Sequence, residues 1–183
     1  MKSAKILTLM AFAFVVTFGC MRGGNFEEPT NYNLAINAFR DNDFPKAVTL
    51  FEAAMAEAPD DNRIIFPLAI AYGITGDKDR EFALLQRTVE IDPEFEAGHY
   101  HIALAYAERG NTTQALENFR KVIELNPYNE SAYFEIGKIY EIDSPRTSLT
   151  FFQRSAQLGS FAAAQKVQEI EYRLAEVLNG ETV

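Results

Sequence analysis

Prolines stand at positions 59, 93 and 127, so the same residue returns twice after 34 steps. Proline stops helices, and one that recurs at a fixed interval marks a unit that ends and restarts. The clearest unit runs from Glu96 to Asn129, EAGHYHIALAYAERGNTTQALENFRKVIELNPYN. It reads as two amphipathic helices joined by a turn at Gly110-Asn111 and closed by Pro127. Moving back by 34 residues lands on Leu68, Ala69, Tyr72, Gly76 and Pro93, and again on Leu34, Ala35, Ala47, Phe51 and Pro59. A single helix pair is too small to bury its own apolar stripe. Pairs stacked at constant pitch share one continuous core.

Four units follow, at about 28–61, 62–95, 96–129 and 130–160, with a last helix over about 161–179. In the first, Leu34, Ala35 and Ala38 share a helix face, and Asn42 stands where later units have glycine. Asparagine is the next best residue for a left-handed helix end. The second unit departs twice from the pattern. Pro67 lies about a turn into its first helix, which predicts a late start or a kink. Glu81 occupies the column held by Ala47 and Ala115, where a carboxylate needs a partner or a route to water. The fourth unit keeps Tyr133, Ile136, Gly137 and Tyr140 but loses its closing proline. The last helix carries the stripe Ala163, Val167, Ile170, Leu174 and Val177. That stripe suits a cap on the open end of the stack, or a face for self-association.

The columns His99, Ile102, Ala103, Tyr106, Ala115, Phe119 and Pro127 resemble the tetratricopeptide repeat, with His99 in place of the leading aromatic. The resemblance covers about Thr30 to Ser160. It implies an all-α solenoid, a right-handed superhelix of helix-turn-helix repeats with a C-terminal capping helix. It also implies a concave surface lined by the first helix of each pair, and peptide or protein binding rather than catalysis.

The chain opens differently. A short basic start with Lys2 and Lys5 precedes a run of apolar and small residues from Ile6 to Phe18, too short to span a bilayer comfortably. The run ends at Gly19-Cys20, and Cys20 is the only cysteine in the 183 residues. Residues 1–19 read as a secretory signal. The cysteine behind it resembles the lipidated first residue of bacterial lipoproteins, with Thr17 where that family prefers leucine. The alternative is ordinary cleavage after Gly19, which leaves a lone thiol with no disulfide partner. Lipidation of Cys20 by palmitate and related acyl chains implies an exported protein held to the cell envelope by residues 20–29, on the periplasmic face of the outer membrane. Loss of the signal leaves 15 basic residues against 26 acidic ones, which argues against nucleic acid and against a basic grip on anionic lipid.

Signals for chemistry are sparse. His99 and His101 point about 200° apart on a helix, so they cannot share a metal ion, and His99 fits between helices in the column of Tyr133. Asp41-Asn42-Asp43 with Glu52 lacks the glycine of a calcium loop. No phosphate loop, HExxH pair or GxSxG elbow is present. No cofactor, metal or catalytic residue is expected.

What remains is a second apolar stripe on the first helix of each unit. An aromatic recurs at Tyr32, Phe66, Tyr100 and Phe134, accompanied by Ile36 and Phe39, by Ile70, and by Leu104. In the third unit this stripe lies about a quarter turn from the face that meets the second helix. The resemblance places it in the concave groove, where aromatics can anchor a peptide or helix. They can equally pack against the neighbouring helix. Arg40, Asn33 and Lys138 are too scattered to form the carboxylate clamp of chaperone-tail-binding relatives. Two functions fit: a membrane-anchored, non-enzymatic scaffold for an envelope protein or peptide, or a module for a hydrophobic small molecule or lipid. The first is similar to lipidated repeat proteins that pilot secretins in type IV pilus systems or join outer-membrane assembly machines.

Overall fold

The computed structural model describes residues 30–178, which form nine α-helices. They are α1 (Asn31–Arg40), α2 (Phe44–Glu57), α3 (Asn62–Thr75), α4 (Lys78–Ile91), α5 (Glu96–Glu108), α6 (Thr112–Leu125), α7 (Glu130–Tyr140), α8 (Pro145–Gln157) and α9 (Phe161–Leu178). The signal, Cys20 with the rest of residues 20–29, and residue 179 at the end of the expected last helix lie outside the described residues. Helix packs on helix in chain order throughout, most closely within the pairs α1/α2, α3/α4, α5/α6 and α7/α8. This is the stacked solenoid that the 34-residue period demands.

The turns inside the first three pairs follow from backbone chemistry. Asn42, Gly76 and Gly110 each take a positive φ, of 61°, 93° and 74°, which ends one helix and aims the chain back along it. Asp43 and Asp77 then cap α2 and α4 by accepting from the backbone N–H of Lys46 and Arg80. Asp61 and Asn129 do the same for α3 and α7. Each such cap is worth about 1 kcal/mol.

The core is a set of columns. Phe51, Leu85, Phe119 and Phe152 project from the second helices and are fully buried. Each stabilises its repeat by roughly 1.5–3 kcal/mol of apolar burial. Facing them are the small residues Ala35, Ala69, Ala103 and Gly137, which let paired helices approach. All four repeats also fasten the head of their first helix to the tail of their second, the first by Asn31 donating to Glu57 at 2.8 Å. Asn62 donates to the Thr88 carbonyl at 3.0 Å, Asn126 donates to Glu96 at 3.1 Å, and the Ser155 hydroxyl donates to the Glu130 carbonyl at 2.9 Å.

Several expectations are corrected. Leu34 does not share the burial of Ala35 and Ala38; it is 38% exposed. Its counterparts Leu68, Ile102 and Ile136 are covered by the second helix of the preceding repeat, and no described helix precedes α1. Helix α3 starts on schedule at Asn62 and carries Pro67 inside it, so the late start does not occur. Val177 is 75% exposed. Helix α9 has 18 residues against 13 in α8, and its last turns overhang what they pack on.

The rest of α9 closes the stack. Ala163 and Ile170 are buried with Phe152, and Val167 and Leu174 pack beside them. Outward positions are exposed and mixed in character, Gln168 and Glu171 polar and Ala164 and Ala175 small. Glu141 on the preceding repeat takes Lys166 at 2.9 Å and Arg173 at 3.4 Å, fixing the helix in register.

Candidate partner-binding groove

The stripe proposed from sequence falls on consecutive first helices. Tyr32, Ile36 and Phe39 lie on α1, Phe66 and Ile70 on α3, Tyr100 and Leu104 on α5, and Phe134 on α7. All eight are half-buried. Each aromatic rests part of its ring on a phenylalanine. The centroid separations are 6.5 Å for Tyr32 and Phe51, 5.0 Å for Phe66 and Phe95, 5.7 Å for Tyr100 and Phe119, and 5.3 Å for Phe134 and Phe152. Phe39 makes the same kind of contact with Phe44 and Phe51. One edge of these rings builds the core and the other remains at the surface.

Of these residues the structure joins Phe66 to Tyr100, through His101. The imidazole meets Phe66 at 5.4 Å and Tyr100 at 5.7 Å, edge to face in both cases. Sequence reading considered His101 only as a metal ligand and missed this role. The signal was available, since His101 follows the aromatic column directly and repeat two ends with Phe95, which also touches Phe66. Burial holds the His101 pKa below the usual 6.5, opposed by the nearby Glu81 carboxylate. Burial likewise raises the Tyr100 hydroxyl, with a smaller push from Glu135. Both side chains are therefore neutral at pH 7, and this part of the groove is apolar.

Glu81 solves its packing problem beside this site. Its carboxylate lies over Gly73, so close that a Cβ there would stand 2.2 Å from Oε1. It is met by the Lys78 ammonium at 2.9 Å, and its side chain is 13% exposed. The glycine opens the passage and the lysine neutralises what comes through it. Toward the capped end the stripe turns polar, with Lys138 above the Phe134 ring at 5.8 Å and paired to Glu135 at 2.7 Å.

His99 stands on another face of α5, with Nδ1 2.9 Å from Asn118 Oδ1 and Nε2 3.0 Å from the Pro93 carbonyl. Among the described residues no three His, Cys, Asp or Glu side chains are grouped to hold a metal ion.

Family models describe the same architecture. A tetratricopeptide repeat model matches residues 32–94 and a TPR repeat model matches residues 104–141. The chain is a tetratricopeptide repeat protein. Among solved structures, this repeat protein is similar to the MamA protein at 17% identity, over 82% of this chain and 81% of that one, with a TM-score of 0.71. MamA from Desulfovibrio magneticus RS-1 superposes with a TM-score of 0.73 at 15% identity, covering 80% and 84% of the two chains. YrrB, described as a TPR protein with an unusual peptide-binding site, gives 0.69 at 17% identity, covering 76% and 73%. At these identities the likeness shows the fold. No curated protein sequence matches.

Proposed function

We propose that this tetratricopeptide repeat protein is a non-enzymatic scaffold that receives an apolar segment of a protein partner along α1, α3 and α5. The observation that carries the reading is the half-buried line Phe66, His101 and Tyr100, flanked by Ile70 and Leu104, which joins two consecutive first helices. A surface of neutral rings with one edge already fixed in the core costs little ordering on binding. The peptide-binding site named for YrrB is in keeping with it. A small hydrophobic ligand would call for an enclosed volume over these residues. The cleft of about 820 Å³ in this molecule instead lies among α4, α5 and α6, lined by other side chains.

In this reading the scaffold sits at the cell envelope, tethered through a lipidated Cys20, and its partner is an envelope protein. A photoreactive residue in place of Leu104, irradiated in membranes, is expected to give a discrete protein adduct. A reporter at exposed Thr150 on α8 should give none. Equal adducts from both positions, or none from Leu104, would overturn the groove assignment. Metabolic labelling with a palmitate analogue should mark the wild type and not Cys20→Ser; equal labelling would remove the lipid anchor.

A further inference from the structure

The second helices of neighbouring repeats are separated by clefts, and the molecule treats these clefts differently. Between α2 and α4 the gap is bridged. The Tyr72 hydroxyl donates to the Glu52 carboxylate, and Arg80 donates to that hydroxyl at 2.8 Å and pairs with Glu52 at 3.3 Å. The Arg80 guanidinium also lies 4.7 Å above the Tyr72 ring. An acid, a tyrosine and an arginine thus close the first cleft like a bolt.

Adding 34 to each of these positions gives Gln86, Tyr106 and Gln114. The tyrosine is kept, but both charged partners have become neutral amides. Among the described residues neither glutamine side chain makes a hydrogen bond, and no hydrogen bond reaches the Tyr106 hydroxyl. Here the cleft stands open, with a volume of about 820 Å³. One repeat further on, the same columns hold Arg120 and Tyr140; Arg120 donates to the Tyr140 hydroxyl at 3.1 Å, and Tyr140 stacks on Phe151. The middle cleft is the one that lacks the bridge on its tyrosine; His99 spans only its far end, between Asn118 and the Pro93 carbonyl.

Its chemistry is specific. Val89, Ile102 and Tyr106 form an apolar floor. Gln86 on α4 and Gln114 on α6 face the gap from opposite walls with free amide donors and acceptors. Above them stand Glu90 and Glu117, exposed and in no ion pair among the described residues. The cations at the mouth are already engaged, Lys121 with Glu124 at 2.8 Å and Arg120 with Tyr140. A phenol leaves the Arg120 charge in place, so the lining carries three carboxylates, Glu90, Glu117 and Glu124, against two cations, a net negative charge. At 100° per residue, Ile102 and Tyr106 point about 160° away from Tyr100 and Leu104, so this cleft is on the other side of α5 from the aromatic groove.

We propose that the open cleft binds an extended cationic peptide segment of a partner protein. An apolar side chain sits on Val89 and Tyr106, above the buried Ile102, the Gln86 and Gln114 amides pair with the peptide backbone, and a lysine or arginine lies between Glu90 and Glu117. Side-chain amides facing an extended strand replace the hydrogen bonds its backbone gives up to enter the cleft. The two carboxylates select the sign of the charge. This site is independent of the groove on the first helices.

The test uses the full mature chain and two capped heptapeptides. In one, leucine and valine alternate with lysine and arginine; in the other, glutamate replaces the basic residues. The cationic peptide is expected to shift the side-chain amide signals of Gln86 and Gln114 and the methyl signal of Ile102 saturably in NMR titration. Glu90→Gln with Glu117→Gln, both exposed, should weaken binding about fivefold and flatten its salt dependence. Gln86→Glu with Gln114→Arg rebuilds the bridge on Tyr106 and should abolish binding while Leu104 crosslinking persists. Equal binding of the acidic peptide overturns the proposal. So do shifts confined to Ile70 and Leu104, shifts that appear on concentrating the protein without peptide, or a rebuilt bridge that leaves binding unchanged.

Discussion

The Glu81 carboxylate lies across Gly73, in space that any other residue at that position would fill. Two departures from the repeat pattern, a large acid in a small-residue column and a glycine eight residues before it, therefore compensate each other. Gly73→Ala alone gains about 1 kcal/mol of helix propensity and displaces the carboxylate from Lys78, so its net effect is small. In a Glu81→Ala background the same change should stabilise by about 1 kcal/mol, because nothing is displaced. Urea denaturation of the four proteins measures the coupling; strictly additive effects would show that the two residues do not communicate.

Gly137 is tight for a different reason. A Cβ there would meet the Phe152 ring at 2.8 Å, and that ring is fully buried between α7 and α9. The ring has nowhere to go, unlike a flexible carboxylate. Gly137→Ala is expected to destabilise by about 1–3 kcal/mol, although the other repeats carry alanine in this column. Thermal unfolding checks it, and an unchanged midpoint would show that α7 and α8 can separate freely.

His101 makes stability depend on pH. Its pKa in the folded chain lies below the 6.5 of the unfolded chain because burial disfavours the imidazolium. Between those two values the unfolded chain binds more protons, so this contribution to stability is complete above about pH 6.5 and is lost as pH falls toward the folded value. His101→Gln removes this contribution. Urea midpoints at pH 7.5 and 5.5 should fall further for the wild type than for the variant, and equal falls would contradict the buried neutral imidazole. Glu81 faces the same ring and acts in the opposite direction, so Glu81→Gln should enlarge the wild-type fall.

Helix α9 covers the last apolar face. Ending the chain after Gly159 would expose Phe134, Leu149, Phe152 and Ala156 along one side of α7 and α8. Terminal repeats without a polar outer surface associate or unfold. The shortened protein should lose several degrees of thermal midpoint and elute as an oligomer. A stable monomer would mean the fourth repeat can bear solvent without its cap.

Much of this was legible in the chain. The prolines at 59, 93 and 127 gave the period, and the period gave the columns of Phe51, Phe119, Ala35 and Ala103 that build the core. Helical periodicity reports which face is apolar, not what covers it. Leu34 was therefore misplaced, because its exposure depends on the absence of a described neighbour before α1. The route taken by Glu81 needed Gly73 on the facing helix, a relation between helices rather than within one. The open cleft was least visible, since Gln86 and Gln114 are ordinary helix residues until compared with Glu52 and Arg80 one repeat earlier.

The bonds that tie Asn62 to Thr88, Glu96 to Asn126 and Glu130 to Ser155 close the repeats into hairpins whose two arms cannot slide apart without breaking them. The seams between α4 and α5 and between α6 and α7 are packed more sparsely than the hairpins they join. A pull along the solenoid would accordingly open seams before hairpins. The molecule would lengthen as a spring, with each coil intact, and the first seam to widen would lie beside the aromatic groove on α3 and α5.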